Sequence, residues 1–111
     1  MSNNLSWQDV VAAHGSRAAI VQKNGRISSI LCGGQDYADV IDANEVIYQI
    51  PNRAFYKKSI ESFKACREFQ YSFQVYQKIQ TNKWRYLGEH KVKNMEISGD
   101  YWKLYLVEEK K

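Results

Sequence analysis

Residues 69–76, FQYSFQVY, alternate large apolar side chains with mostly polar ones. A period of two is typical of a strand with one face buried against a core. The segment therefore predicts an amphipathic β-strand, and this strand sets the fold class. Gln77 then falls on the apolar side, so the strand either leaves the core there or contains a bulge.

The chain downstream of this strand has the pattern of an antiparallel meander. Short apolar segments are separated by residues that favour turns. The pattern predicts a turn at 81–83, strands over 84–87 and 91–97, a turn at Gly99 and Asp100, and a closing strand over 101–107.

The chain upstream is predicted to contain two helices and a hairpin. Asn52 is a good N-cap for a helix running to about residue 65, with Phe55 on its buried face. Ser6 caps a short helix that ends near Gly15, and Asn24 begins a tight hairpin turn between apolar segments. A further short strand covers 46–50.

These elements predict an α+β, mostly β domain. About six strands with short connections favour a small bent antiparallel sheet or a small barrel, with two helices. A length of 111 residues fits one domain, over 1–111. No apolar run is long enough for a bilayer and no signal peptide is evident, so we expect a cytoplasmic protein without a membrane partner.

Basic residues are concentrated in the second half of the chain. Residues 1–52 contain three basic and five acidic side chains, whereas residues 53–111 contain thirteen and seven. This asymmetry is typical of a polyanion-binding surface, because phosphate contacts provide much of the affinity for DNA and RNA. Surface lysines that only maintain solubility give the same count, so charge alone leaves nucleic-acid binding open.

The residues that most often carry chemistry give no strong pattern. Cys32 and Cys66 lack CxxC spacing and are expected to be reduced, partly buried thiols. His14 and His90 fit neither a zinc site nor a catalytic triad, and each is expected to be exposed or to have a structural role. We therefore expect no metal and no cofactor.

One triplet keeps an enzymatic alternative open. Glu89 and Lys91 form an E-x-K pattern of the kind used by metal-dependent nucleases. Glu108 and Lys110 repeat the pattern at the end of the chain, which shows how little it discriminates.

Residues 31–49, LCGGQDYADVIDANEVIYQ, resemble the central motif of SRA (SET-and-RING-associated, YDG) domains, which read methylated DNA. In that family a small residue and two glycines lead into an aromatic and acidic loop, and a strand ending in tyrosine follows. The resemblance continues in the same order at 14–31 (HGSRAAIVQKNGRISSIL), 52–55 (NRAF), 73–78 (FQVYQK), 86–92 (YLGEHKV) and 102–107. It implies the PUA-like β-barrel class.

The resemblance also implies a base pocket. SRA domains flip a methylated cytosine out of the duplex, stack it between two aromatic rings and bind its polar edge with an aspartate. Carried over, Asp39 reads the base edge, and Tyr48 and Tyr37 form the walls. Gln49 stands where the family usually has threonine. The loop before Tyr48 is one residue longer than the family pattern, which displaces Tyr37 toward Asp39.

The surroundings of this pocket depart from the family in one place. The link from Tyr48 to Asn52 is too short for the glycine-rich finger loop that SRA domains insert into DNA. The loop over 21–26 resembles the family's other wedge. Charge and closeness in sequence to these loops identify the candidate phosphate contacts as Arg17, Lys23, Arg26, Arg53, Lys57 and Lys58.

The sequence thus predicts a non-enzymatic reader of double-stranded DNA that contains methylated or hydroxymethylated cytosine. Any restriction activity would require a separate nuclease domain or subunit. Two alternatives stay open. One is a PUA- or ASCH-like RNA-binding domain, and the other is a small nuclease that uses Glu89 and Lys91.

Overall fold

The computed structural model describes residues 5–33, 40–41 and 45–109. It contains two helices and seven strands in an α+β, mostly β arrangement, which confirms the predicted fold class. The helices are α1 (Trp7–His14) and α2 (Lys57–Phe69), the latter preceded by a 3₁₀ turn over Ala54–Tyr56. The strands are β1 (Ile20–Lys23), β2 (Arg26–Gly33), β3 (Val40–Ile41), β4 (Glu45–Pro51), β5 (Phe73–Gln80), β6 (Lys83–Ser98) and β7 (Tyr101–Glu108).

The strands form one curled sheet in the order β1-β2-β5-β6-β7-β4-β3. The predicted meander is confirmed, since β5 pairs with β6 and β6 with β7, both antiparallel. The expectation of a purely antiparallel sheet is wrong at one pair, because β2 and β5 run parallel. The long connection between them contains α2 and provides the crossover that a parallel pair requires. The two predicted strands over 84–87 and 91–97 are one strand, β6.

The inner face of the sheet carries the main core, and α2 packs into it. Phe63 of α2 is fully buried and meets Phe73 of β5 edge to face, with ring centroids 5.7 Å apart. We call this group the inner core. Its buried members are Ile27, Ile30, Cys32, Val46, Tyr48, Ile50, Ile60, Phe63, Cys66, Phe73, Val75, Val92, Met95, Leu104 and Leu106.

The outer face of the sheet carries a smaller cluster under α1. Val10 of α1 packs with Leu31 of β2, Tyr76 of β5 and Trp84 of β6. Side chains of a strand alternate between the two faces, so Val75 enters the inner core while Tyr76 enters this outer cluster. The sheet is therefore covered on both sides along β2 and β5.

The beginning of α2 differs from the sequence prediction. Asn52 is not its N-cap, because the helix starts at Lys57 after the 3₁₀ turn. The Asn52 side chain instead accepts a hydrogen bond from Trp102 Nε1 at 3.3 Å. Phe55 lies in the turn rather than on the buried stripe of the helix, and it is 87% exposed.

The end of α2 also extends beyond the prediction. Phe69, expected in a strand, is the last helical residue and is 60% exposed. Gln70 follows in the left-handed conformation with φ 56°, and it donates a side-chain hydrogen bond to Arg67 O. Strand β5 therefore begins at Phe73, and only the second half of the alternating segment is strand.

Candidate nucleic-acid interface

Tyr48, the predicted pocket wall, lies in the middle of β4 and faces the inner core. It is 3% exposed, and its ring centroid lies 6.1 Å from that of Phe63 on α2. Gln49 follows it on the strand and pairs with Lys103 of β7. Because neighbouring strand residues point to opposite faces, the two side chains do not meet. Tyr37 and Asp39 lie outside the described residues.

Gln77 is a polar residue at the inner face that the family resemblance did not single out. It pairs with Cys32, a member of the inner core. Within the described residues, its Oε1 is the one buried side-chain oxygen or nitrogen without a hydrogen-bond partner. Such an atom costs about 1–3 kcal/mol, so a buried orphan acceptor calls for an explanation.

Gly33, at the end of β2, makes room for the Gln77 side chain. It adopts φ +83°, and a Cβ added there would lie 3.1 Å from Gln77 Cγ and 3.1 Å from Lys78 O. A larger residue would therefore be strained in its backbone and crowded by its neighbours. The chain continues from Gly33 directly into the segment that contains Tyr37 and Asp39.

The structure brings the tip of the first hairpin close to α2. Asn24 and Gly25 both have positive φ, 55° and 75°, as a tight turn requires. Gln22, just before the tip, donates to Ser59 Oγ at 2.9 Å and accepts from Ser62 at 2.7 Å. These two hydrogen bonds hold the hairpin against the helix that carries Lys58.

Five of the predicted phosphate contacts lie on the first hairpin, just before the 3₁₀ turn and at the beginning of α2. All five side chains are exposed, and we call this set the basic surface: Lys23, Arg26, Arg53, Lys57 and Lys58. Arg26 is held over the Tyr71 ring, with its guanidinium carbon 4.1 Å from the centroid. The exposed ring of Phe55 stands between Arg53 and Lys57 in the chain.

The sixth predicted contact, Arg17, is not part of this surface. It lines a cavity of about 400 Å³ together with Leu31 and Trp84, both of the outer cluster. The sheet therefore separates Arg17 from α2, which packs on the inner face.

Comparison with solved structures shows which known fold this is. The SRA domain of SUVH5 bound to fully methylated CG DNA matches 99% of this chain and 88% of that chain, with a TM-score of 0.74 and 16% identity. The chain has the fold of an SRA domain. The SUVH5 SRA complex with hemimethylated CG DNA matches equally well, at TM-score 0.74 and 17% identity over 100% and 91% of the two chains.

A larger protein contains the same SRA fold as one part. KRYPTONITE in complex with mCHH DNA matches 98% of this chain at TM-score 0.73 and 16% identity, but only 31% of that chain is covered. No family model matches the sequence. No curated protein matches it either. The fold is thus shared at a sequence identity of only 16–17%.

The two histidines of this chain are buried and hydrogen-bonded within the fold, which fits the structural role expected for them. His14 is buried, donates from Nε2 to Ala18 O at 2.7 Å and accepts at Nδ1 from Ser29 Oγ at 2.6 Å. His90 is buried and donates from Nδ1 to Gly88 O at 3.2 Å. Burial lowers the pKa of both His14 and His90, so both stay neutral near pH 7.

The two cysteines are buried free thiols, and both charged residues of the E-x-K triplet contact other side chains of the protein. Cys32 and Cys66 are free and buried, and burial raises the pKa of the Cys66 thiol. Glu89 accepts from Gln74 Nε2 at 3.2 Å, and Lys91 pairs with Glu109 at 3.3 Å.

The described residues contain neither a cluster of metal ligands nor a helix that could cross a membrane. Over 5–33, 40–41 and 45–109 there is no group of three or more metal-ligating side chains. Neither of the helices in these ranges has the length and apolar character needed to cross a bilayer.

Proposed function

We propose that this chain binds duplex DNA and recognises a methylated or hydroxymethylated cytosine, as a reader without catalytic activity of its own. The observation that carries the proposal is the match over nearly the whole chain to SRA domains solved with methylated CG DNA. The buried Tyr48 and the basic surface support it from the chain's own residues. Cleavage in a restriction system would then come from a separate nuclease domain or subunit.

In this proposal the base is flipped into the inner side of the curled sheet. Tyr48 of β4 and Tyr37 form the aromatic walls, which recover the stacking that the base loses on leaving the duplex. The Asp39 carboxylate accepts from the exocyclic amine of cytosine. The backbone at Gln49 borders the base, because its side chain points to the other face of the sheet.

The basic surface supplies the affinity that does not depend on sequence. Its exposed cations neutralise phosphates and release counterions, so binding weakens steeply with salt. Phe55 adds an exposed ring between Arg53 and Lys57, at the short link that replaces the finger loop of the family. Since an aromatic ring stacks on any base, we expect Phe55 to stack on a base that is left unpaired by the flipping.

Gln77 provides a second acceptor for the flipped base. Its orphan Oε1 faces the inner core next to the strand end from which the Tyr37 and Asp39 segment begins. A donor on the ligand would satisfy this oxygen and remove the cost of burying it unpaired.

Gln77→Leu is expected to raise the free energy of unfolding by about 1 kcal/mol, because the orphan acceptor is removed at similar volume. The same variant is expected to lose about tenfold of the preference for modified over plain DNA. Urea denaturation measures the first effect and binding titrations measure the second. Gln74→Leu is the matched control, since Gln74 donates to Glu89 and accepts from Tyr86, and it should destabilise the protein. A Gln77→Leu protein that is less stable and equally selective would remove Gln77 from the pocket.

The proposed function is tested by fluorescence anisotropy at fixed moderate salt. Matched duplexes carry plain, methylated or hydroxymethylated cytosine, and unlabelled single-stranded RNA is the competitor. We expect tighter binding to a modified duplex and weak competition by RNA. Equal affinity for all duplexes with effective RNA competition would support the RNA-binding alternative. Magnesium-dependent cleavage of any duplex would contradict a reader without catalytic activity.

A further inference from the structure

The cavity that contains Arg17 lies on the opposite side of the sheet from the basic surface and has no role in the proposed function. Its floor is formed by Leu31 and Trp84, which are 2% and 4% exposed. Trp7 of α1 forms one wall. At about 400 Å³ it falls in the size range of small-molecule sites, about 300–1,000 Å³.

The wall of this cavity is fixed in place by several hydrogen bonds. Leu5 forms two backbone bonds with Trp84, at 3.1 and 2.9 Å. The Trp7 backbone N–H donates to Asn82 Oδ1 at 2.8 Å, and Ser6 and Asp9 close a capping box at the start of α1. The Trp7 and Trp84 rings are consequently stacked, with centroids 5.4 Å apart and planes 29° apart. A preformed aromatic site loses little conformational entropy when a ligand binds.

The polar part of the cavity is cationic. Arg17 and Lys78 both line it, and no acidic side chain is among its described lining residues. Within 5–33, 40–41 and 45–109, ion pairs join Lys64 to Glu61 and Lys91 to Glu109, and neither pair involves Arg17 or Lys78. Two cations beside an aromatic wall favour a ligand that combines an anion with a flat ring.

We propose that this cavity binds a nucleotide, with its base against Trp7 and its phosphate between Arg17 and Lys78. The ligand chemistry is that of a nucleoside monophosphate, either free or as the phosphorylated end of a single strand. This site is independent of the proposed cytosine pocket, because its walls belong to the outer cluster and to α1.

The experiment is a titration of the whole chain followed by tryptophan fluorescence and by isothermal calorimetry. The ligands are the four ribonucleoside 5′-monophosphates, adenosine, inorganic phosphate and a 5′-phosphorylated thymidine tetramer. We expect saturable quenching and heat with a monophosphate, and at least tenfold weaker binding of adenosine or phosphate alone. Binding of the tetramer in addition would identify a strand end as the source, whereas its absence would identify the free nucleotide.

Charge variants locate the binding site. Arg17→Gln and Lys78→Gln are each expected to weaken monophosphate binding about tenfold, because each removes a charge-assisted contact. Lys93→Gln, at an exposed residue outside the cavity, is the matched control and should bind normally. The proposal is overturned if no monophosphate or tetramer gives saturable binding, or if the Arg17 and Lys78 variants bind as tightly as the unmodified protein. Neither result depends on whether the chain recognises modified DNA.

Discussion

Asp39→Ala is expected to reduce the preference for a modified over a plain duplex by about tenfold or more, while binding to plain DNA persists. The physical reason is that a hydrogen bond between a carboxylate and the cytosine amine contributes about 1.5–3 kcal/mol, and 1.4 kcal/mol is a factor of ten. Background binding depends on phosphate contacts instead. The measurement is the anisotropy titration of matched duplexes, repeated at several salt concentrations.

The control for Asp39→Ala removes a carboxylate from elsewhere on the chain. Glu96→Ala is suitable because Glu96 is exposed on β6, is not part of the basic surface or the proposed pocket, and accepts a hydrogen bond from Tyr105. Loss of a negative charge in general should tighten binding to every duplex equally, so Glu96→Ala should keep the preference. An equal loss on plain and modified DNA in Asp39→Ala would show that Asp39 does not read the base.

Lys57→Gln combined with Lys58→Gln is expected to weaken binding to plain and modified duplexes alike. Both lysines are exposed in the first turn of α2, and Ser59, which follows them, bonds to Gln22 of the hairpin. Each phosphate contact makes the negative slope of log affinity against log salt steeper by about 0.9, so the double variant should make that slope shallower by about two. Affinities measured from low to moderate salt give this slope directly.

The matched double variant is Lys93→Gln with Lys103→Gln. It removes the same charge from β6 and β7, where Leu104 faces the inner core and Lys103 therefore faces outward. This variant should keep the slope of the unmodified protein. An unchanged slope in the Lys57 and Lys58 variant, or an equal change in both double variants, would exclude a specific phosphate contact at α2.

The local elements were the most predictable part of the fold. The Ser6 cap of α1 and the positive-φ turn that begins at Asn24 formed where the sequence predicted them. Both depend on residues within a few positions of one another, so no distant part of the chain changes the outcome. Asn52 was mispredicted as a helix cap because its side chain accepts a hydrogen bond from Trp102, which is fifty residues away in the sequence.

The site was predictable only in part. Tyr48 lies on the inner face, and Gln77, which interrupts the apolar period of the sequence, has a buried oxygen without a partner. That interruption was the available signal for Gln77. Arg17 has the same charge as Lys23 and Arg26 and lies close to the same hairpin in sequence, and nothing in its neighbours along the chain placed it on the other side of the sheet.

The sequence by itself determined the fold class, the meander of β5, β6 and β7, and the turns between them, because side-chain period and turn chemistry act over a few residues. Only the tertiary structure decided that β2 lies parallel to β5, that the sheet is covered on both faces, and that Gln22 joins the hairpin to α2. Each of these depends on contacts between residues far apart in the chain, whose closeness is set by how the whole sheet curls around α2.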